Sequence, residues 1–410
     1  MKGPRLLLFT CLFILFLWME NQTLAGFQMG LVIKMPLFAY LAIYCFSRPK
    51  KLSAVMFWGG LYALKYIVHD YDNVKAFWPD AVEMIKALFL PLFVEFFRKK
   101  NSSPEELGSF CADFSKIGIL ATIPFLMGLK EFTSTPVSLV QFGAKINRFT
   151  GPFENPPDAA AFLAVALLIL LGGGAFARSL KSVVMYVCLG MCALIITYTR
   201  TGYAMFVLPI TMMILRLRLS RWIKITPLLL VLLLSIAHVY QSSETFRRRI
   251  RGEEASVIKL KEAGKEKDVY EQISSTRTVF WKVALEHWES SSLHEKIIGM
   301  GREKCLRLME EALGRKWIAH NGFIDSIQVN GVLGFFFLIM LFWKMYQAGS
   351  VLKQTRYRNV FLNLYFAFFL GFFLQGSISV LVFIPFYCYL AIGLKIKDAN
   401  KAVTAEQAGF

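Results

Sequence analysis

The run FFFLIMLFW at 335–343 contains no charge, and it belongs to one of about twelve apolar segments, each roughly 17 to 25 residues long and able to cross about 30 Å of hydrocarbon. These segments begin near Leu6, Phe27, Leu52, Phe77, Ser109, Pro157, Val183, Tyr203, Ile223, Gly322, Val360 and Ser377. Of 410 residues, 56% are hydrophobic and 38 are Phe, which is more apolar surface than a soluble domain of this length buries. Lipid must therefore be the solvent, and a chain in lipid has to close its backbone hydrogen bonds within itself. The expected fold is an all-α polytopic membrane protein of about twelve transmembrane helices.

Basic residues assign the sides. Alternate connections hold Lys2 and Arg5, then Arg48, Lys50 and Lys51, then Arg98, Lys99 and Lys100, and the alternation continues through Arg178, Arg216, Lys344 and Lys395. The intervening short loops hold few cations, Lys75, Lys130 and Arg200 among them. The positive-inside rule then places both termini in the cytoplasm and the sparse loops outside. Topology also accounts for most of the net charge of +18, so nucleic-acid binding is not expected. The opening MKGPR followed by LLLFTCLFILFLW resembles a signal peptide, and the expectation is an uncleaved first span. The seven cysteines show neither a disulfide framework nor metal-ligand spacing.

One connection is long. The expected organisation is nine spans over 1–240, an outer loop domain over 241–319, three spans over 320–394 and a cytoplasmic tail over 395–410. The outer segment opens with the cluster Arg247, Arg248, Arg249 and Arg251, which suits either contact with anionic lipid or a snorkelling anchor. Farther on, RTVFWKVALEHW reads as a helix with an apolar face at Val279, Val283 and Leu285 to Trp288, capped within Ser274 to Thr276. Arg277 then falls in its first turn, the end where a cation gains nothing from the helix dipole.

Arg200, in the outer turn TYTRTGYAMF, also runs against the charge bias, and is either an interfacial anchor beside Tyr198 and Tyr203 or a ligand group. With His320, both arginines fall at the outer membrane boundary. Guanidinium forks match phosphate oxygens, and an imidazole near its ordinary pKa of about 6.5 takes a proton from a hydroxyl. The trio suggests group transfer from a phosphate-activated lipid donor. Asn321 is a suitable N-cap for the span beginning at Gly322, leaving His320 just outside the positive helix end, a field that favours the neutral ring.

Four ordered blocks, GPFENPPDAAAFLAVALL at 151–168, TRTGYAMF at 199–206, RTVFWKVALEHW with IIGMG at 277–301, and HNGFIDSIQVNGVLG at 320–334, resemble the signatures of the bacterial O-antigen ligase and polymerase superfamily. The resemblance implies a C-class-like glycosyltransferase of the inner membrane, with its long loop and active site in the periplasm. Its donor would be a glycan on undecaprenyl diphosphate and, in the ligases, its acceptor the lipid A-core oligosaccharide. Arg200 and Arg277 match the arginines associated with the donor diphosphate, and His320 the histidine associated with acceptor activation. No metal or other cofactor is implied. Asp325 departs from the pattern: with Ile327 it stands among positions that are more often apolar.

The blocks separate ligase from polymerase poorly, and the expectation is a ligase with a polymerase as the alternative. A transporter is the rival of another class, because Lys34, Lys65, Glu83, Lys86, Asp113 and Lys116 lie in or near apolar segments. Pairing of Glu83 with Lys86 and of Asp113 with Lys116, each three apart on a helix, explains most of these charges.

Overall fold

The computed structural model describes residues 3–20, 23–24, 27–48, 51–69, 74–128, 138–141, 144–147, 149–153, 155–172, 180–215, 237, 240–241, 277–313, 318–355, 357–376 and 380–407. Fourteen helices occur among them: α1 (Gly3–Glu20), α2 (Met29–Ser47), α3 (Ala54–Leu64), α4 (Val74–Lys99), α5 (Pro104–Leu126), α6 (Pro156–Gly172), α7 (Leu180–Ile196), α8 (Arg200–Leu215), α9 (Arg277–Ser290), α10 (Leu293–Ile298), α11 (Arg302–Leu313), α12 (Gly322–Ser350), α13 (Arg358–Gln375) and α14 (Ile384–Gln407). Helix dominates as expected, but the chain is not wholly α. Two short antiparallel ladders pair Thr23–Leu24 with Phe27–Gln28 and Ser138–Gln141 with Ala144–Asn147.

The apolar segments of the sequence become these helices, apart from that near Ile223, which lies outside the described residues. Pro104–Leu126 and Gly322–Ser350 are long and apolar enough to cross a membrane, and Pro4–Leu17, Ile33–Ser47, Pro156–Gly172 and Ser182–Ile196 are shorter apolar helices. Large apolar side chains such as Leu7, Ile43, Phe46, Trp78 and Trp343 face outward, which suits hydrocarbon and not water. The architecture is that of a helical membrane protein.

After Asp158 in its first turn, helix α6 is apolar on every face, and from Ala159 to Leu170 it is almost wholly buried, as a helix with no polar stripe must be. Around it pack α5, α7, α8 and α13. Small residues let these backbones approach: a Cβ on Gly202 of α8 would lie 2.4 Å from that of Ala160, and one on Gly118 of α5 would lie 2.0 Å from the Phe162 ring. A second group joins α3 and α4 with α12, and α14 packs against both α4 and α5.

The span expected from Gly322 is interrupted. At Gly331 the backbone of α12 turns to φ 67°, ψ −175°, dividing it into a short first helix and a long apolar one. The break frees carbonyls of Gln328 and Val329, and the amides of Met300 and Gly301 take them at 3.1 Å each. This close backbone pairing explains the glycines of IIGMG: a Cβ on Gly299 would sit 2.2 Å from the Val329 carbonyl oxygen. Val332 to Ser350 then rises about 28 Å at 1.5 Å per residue, enough for one crossing.

Helices α9 to α11 form the described part of the long connection. The buried face of α9 is Phe280 and Ala284, meeting Met309 and Ala319, whereas Leu285 of the expected face is 37% exposed. The register is set by what α9 packs against, which its own periodicity does not carry. Its expected caps, Ser274 to Thr276, lie outside the described residues. Helix α4 anchors α11, since Asp80 Oδ1 accepts the Arg302 N–H at 3.1 Å and Glu83 lies 3.5 Å from the Arg302 guanidinium.

Candidate active site

A cavity of about 590 Å³ opens where α9, the start of α12 and the end of α13 face α2, α4 and the start of α6. Its lining includes the charged and polar Arg277, His320, Lys34, Glu83, Lys86, Asn155, Asp158 and Gln375 and, among the apolar residues, Phe89, Leu338, Leu341, Phe342, Phe372 and Phe383. One cavity thus combines charged groups with aromatic and aliphatic surface, which suits a ligand with an anionic head and a hydrocarbon tail.

His320 stands at the start of α12. Asn321 caps that helix, its Oδ1 accepting the N–H groups of Phe323 at 3.0 Å and Ile324 at 3.2 Å, so the residue before it is fixed at the helix's positive end. His320 itself adopts φ 54°, in the left-handed region, and its ring lies 6.4 Å from that of Phe280 between centroids. Burial lowers its pKa below the ordinary value, and the charge of Arg277 adds to the shift. The imidazole is therefore neutral near pH 7 and has a nitrogen able to accept a proton. Burial is the larger cause and the Arg277 charge the smaller.

Arg277 heads α9, the unfavourable end of its own helix, yet its guanidinium donates to the carbonyl of Leu374 at the end of α13. There the carbonyls lack intrahelical partners and the dipole is negative, so the same cation is well placed. One arginine thus ties α9 to α13 and also borders the cavity.

Arg200 is not among the residues lining the cavity. It heads α8, and the turn before it is held by the Tyr203 hydroxyl donating to the Ile195 carbonyl at 2.5 Å. Gly202, two residues on, packs against Ala160, itself two residues beyond Asp158 on the cavity wall. The structure thus brings His320 and Arg277 together and leaves Arg200 at the neighbouring α6–α8 edge. Arg247, Arg248, Arg249 and Arg251 lie outside the described residues.

Three contributors were not singled out as site groups in the sequence. Lys34 and Lys86 read as charges in apolar segments that a transporter would also carry, Lys86 being explained by its pairing with Glu83, but both line the cavity, Lys86 while paired with Glu83 at 2.8 Å. Asp325 read as a departure from a pattern, and its carboxylate binds the turn that carries His320. The signal for Asp325 was its position, four residues after an N-cap, within reach of the cap's own N–H.

Comparison with family models matches residues 184–339 to the family described as O-antigen ligase. That range takes in TRTGYAMF, the 277–301 block and HNGFIDSIQVNGVLG, while the block at 151–168 precedes it. Curated proteins give no match. Through residues 184–339 the chain is similar to the O-antigen ligases, and its resemblance to the O-antigen ligase and polymerase superfamily is shown.

Proposed function

We propose that this protein is an inner-membrane glycosyltransferase of the ligase type, transferring a glycan from undecaprenyl diphosphate to a hydroxyl of the lipid A-core, with inversion at the anomeric carbon. The observation that carries the reading is one cavity lined by both His320 and Arg277 and by several phenylalanines and leucines. A polyprenyl chain would lie along the apolar residues and its diphosphate beside the cations.

In the reaction, neutral His320 takes the proton of the acceptor hydroxyl as that oxygen bonds the anomeric carbon. The bond from that carbon to the diphosphate oxygen breaks, and the diphosphate leaves with the electron pair. Arg277 meets the charge that develops there, and fixed donors at such a position lower barriers by about 3 kcal/mol each. Lys34 and Lys86, on other walls, add positive potential, with Glu83 able to stay paired to Arg302 when Lys86 turns to a phosphate. Arg200 is assigned to the part of the donor that reaches the α6–α8 edge. The cluster Arg247 to Arg249 with Arg251 is assigned to the phosphates of the acceptor or the anionic membrane surface.

The same reading keeps both termini cytoplasmic, about twelve spans, and the 241–319 loop domain in the periplasm, supported by the distribution of basic residues. Transfer measured in membranes with donor and acceptor supplied tests the chemistry: His320→Ala should lower turnover by about 10²- to 10⁴-fold, the usual worth of a positioned base. Wild-type rates in that variant would remove His320 from the mechanism. A deletion strain tests the acceptor. It should accumulate polymerised O-antigen on the lipid carrier and leave its lipid A-core uncapped; cores capped by single repeat units would make the protein a polymerase.

A further inference from the structure

His320 holds a backbone conformation, φ 54°, that a side chain other than glycine seldom adopts. Such a residue persists only where its surroundings hold it. Here one carboxylate does much of the holding. Asp325 Oδ1 accepts the N–H of Ala319 at 2.8 Å, and Oδ2 accepts that of Asn321 at 3.3 Å. Those are the residues on either side of His320, so the two oxygens bracket it. From the other side, Trp281 Nε1 donates to the Ala319 carbonyl at 2.9 Å.

The neighbouring helix makes room for this bracket. Gly376, just past α13 at φ 76°, lies against it, and a Cβ there would stand 2.7 Å from Asp325 Oδ2 and 3.4 Å from the Asn321 nitrogen. The unusual polar residue is thereby explained: an apolar side chain at 325 would leave both flanking N–H groups without this acceptor.

We propose that Asp325 is a positioning residue, its carboxylate fixing the Ala319–Asn321 turn so that the His320 imidazole faces the cavity, with Gly376 providing the space. The role rests on His320 being the base. Asp325 touches no reacting atom; it acts through the turn. Replacing it with Asn keeps the shape but leaves one acceptor oxygen for two N–H groups, and the amide's own N–H₂ faces the second of them.

The test uses the full-length protein in detergent, as wild type, Asp325→Asn and Gly376→Ala. Modification of histidines by diethyl pyrocarbonate is followed peptide by peptide, with exposed His294 of α10 as the internal standard. His320 should react several-fold faster in both variants while His294 keeps its rate. With a polyprenyl-diphosphate glycan donor, kcat should fall on the order of a hundredfold, the usual cost of misplacing a reacting group by about 1 Å, with the donor KM unchanged. A lowered unfolding temperature with an unchanged His320 rate would make Asp325 a helix cap only and overturn the proposal, as would wild-type labelling and kcat together. Should Asp325→Asn fail to fold, Gly376→Ala displaces the same carboxylate without removing it. A wild type that labels as expected but transfers no glycan would overturn the glycosyltransferase reading and leave the bracket standing.

Discussion

Helix α4 carries charge at both ends, and the two ends treat it differently. Near its C-terminus Glu95 is fully buried, with Arg98 at 2.6 Å and Lys99 at 3.7 Å on one oxygen and the Ser53 N–H at 3.2 Å on the other. Lys99 in turn donates to the carbonyls of Cys45 and Arg48, and Arg98 reaches Asp398 of α14 at 2.9 Å. That cluster closes on itself and ties α3, α4 and α14 together. Toward the other end Glu83 and Lys86 also form a pair, but it borders the cavity shared with Arg277 and His320. Charge that finds its partners within the fold holds the fold, and charge gathered around a space is available to a ligand.

The largest expected effect breaks the closed end. Glu95→Ala leaves buried Lys99 without its carboxylate and Arg98 with that of Asp398 alone, and removing one member of a buried ion pair costs about 3–5 kcal/mol. Glu83→Gln removes its pairs with Lys86, whose side chain is 55% exposed, and with Arg302, 27% exposed, and partly exposed pairs of this kind are worth about 0–1 kcal/mol each. Unfolding of the two variants followed in the same detergent measures the contrast, and similar losses for both would erase the distinction between the ends.

Next is a comparison within the open end. Arg277 lines the cavity and Arg200 does not, so Arg277→Lys, which keeps charge but loses the planar fork, should cost turnover about 3 kcal/mol, on the order of a hundredfold. Arg200→Lys should cost less. Steady-state kinetics on both variants decide the matter; an Arg200 effect equal to or larger than that of Arg277 would put the diphosphate at the α6–α8 edge instead.

Local chemistry was legible in the sequence. The apolar segments among the described residues became helices, Asn321 was readable as a cap, and the spacing of Glu83 with Lys86 and Asp113 with Lys116 foretold pairs seen at 2.8 and 3.5 Å. What the sequence hid depends on partners far along the chain. Arg277 looked misplaced because its acceptor, the Leu374 carbonyl, is 97 positions away. Gly331 looked like part of a continuous span, since nothing local announces that Met300 and Gly301 will take the carbonyls its break releases. Asp325 looked like an exception for the same kind of reason: its value lies in two backbone N–H groups of a turn whose shape the residue pattern does not display.

The smallest effect is a shift of a pH limb, and it sharpens the account of the open end. Burial and the Arg277 charge both lower the His320 pKa, so the free enzyme keeps its base neutral below pH 6.5, the ordinary midpoint for histidine. The sign follows directly: what His320 contributes to kcat/KM is present above its lowered pKa and falls as pH drops through it, so the His320 limb lies below 6.5, whereas Asp325, whose pKa burial raises to about 7, adds a loss at higher pH that the profile of Asp325→Asn identifies. Replacing Arg277 with Met removes the second cause and leaves the first, and the limb, read on the residual activity, should move toward higher pH while staying below the ordinary value. Glu83, Asp158, Lys34 and Lys86 share the cavity, so Lys86→Met serves as a control for the field of the other cations. A limb that shifts with Lys86→Met but not with Arg277→Met would mean that the cavity's overall charge, and not the arginine beside the ring, sets the proton affinity of His320.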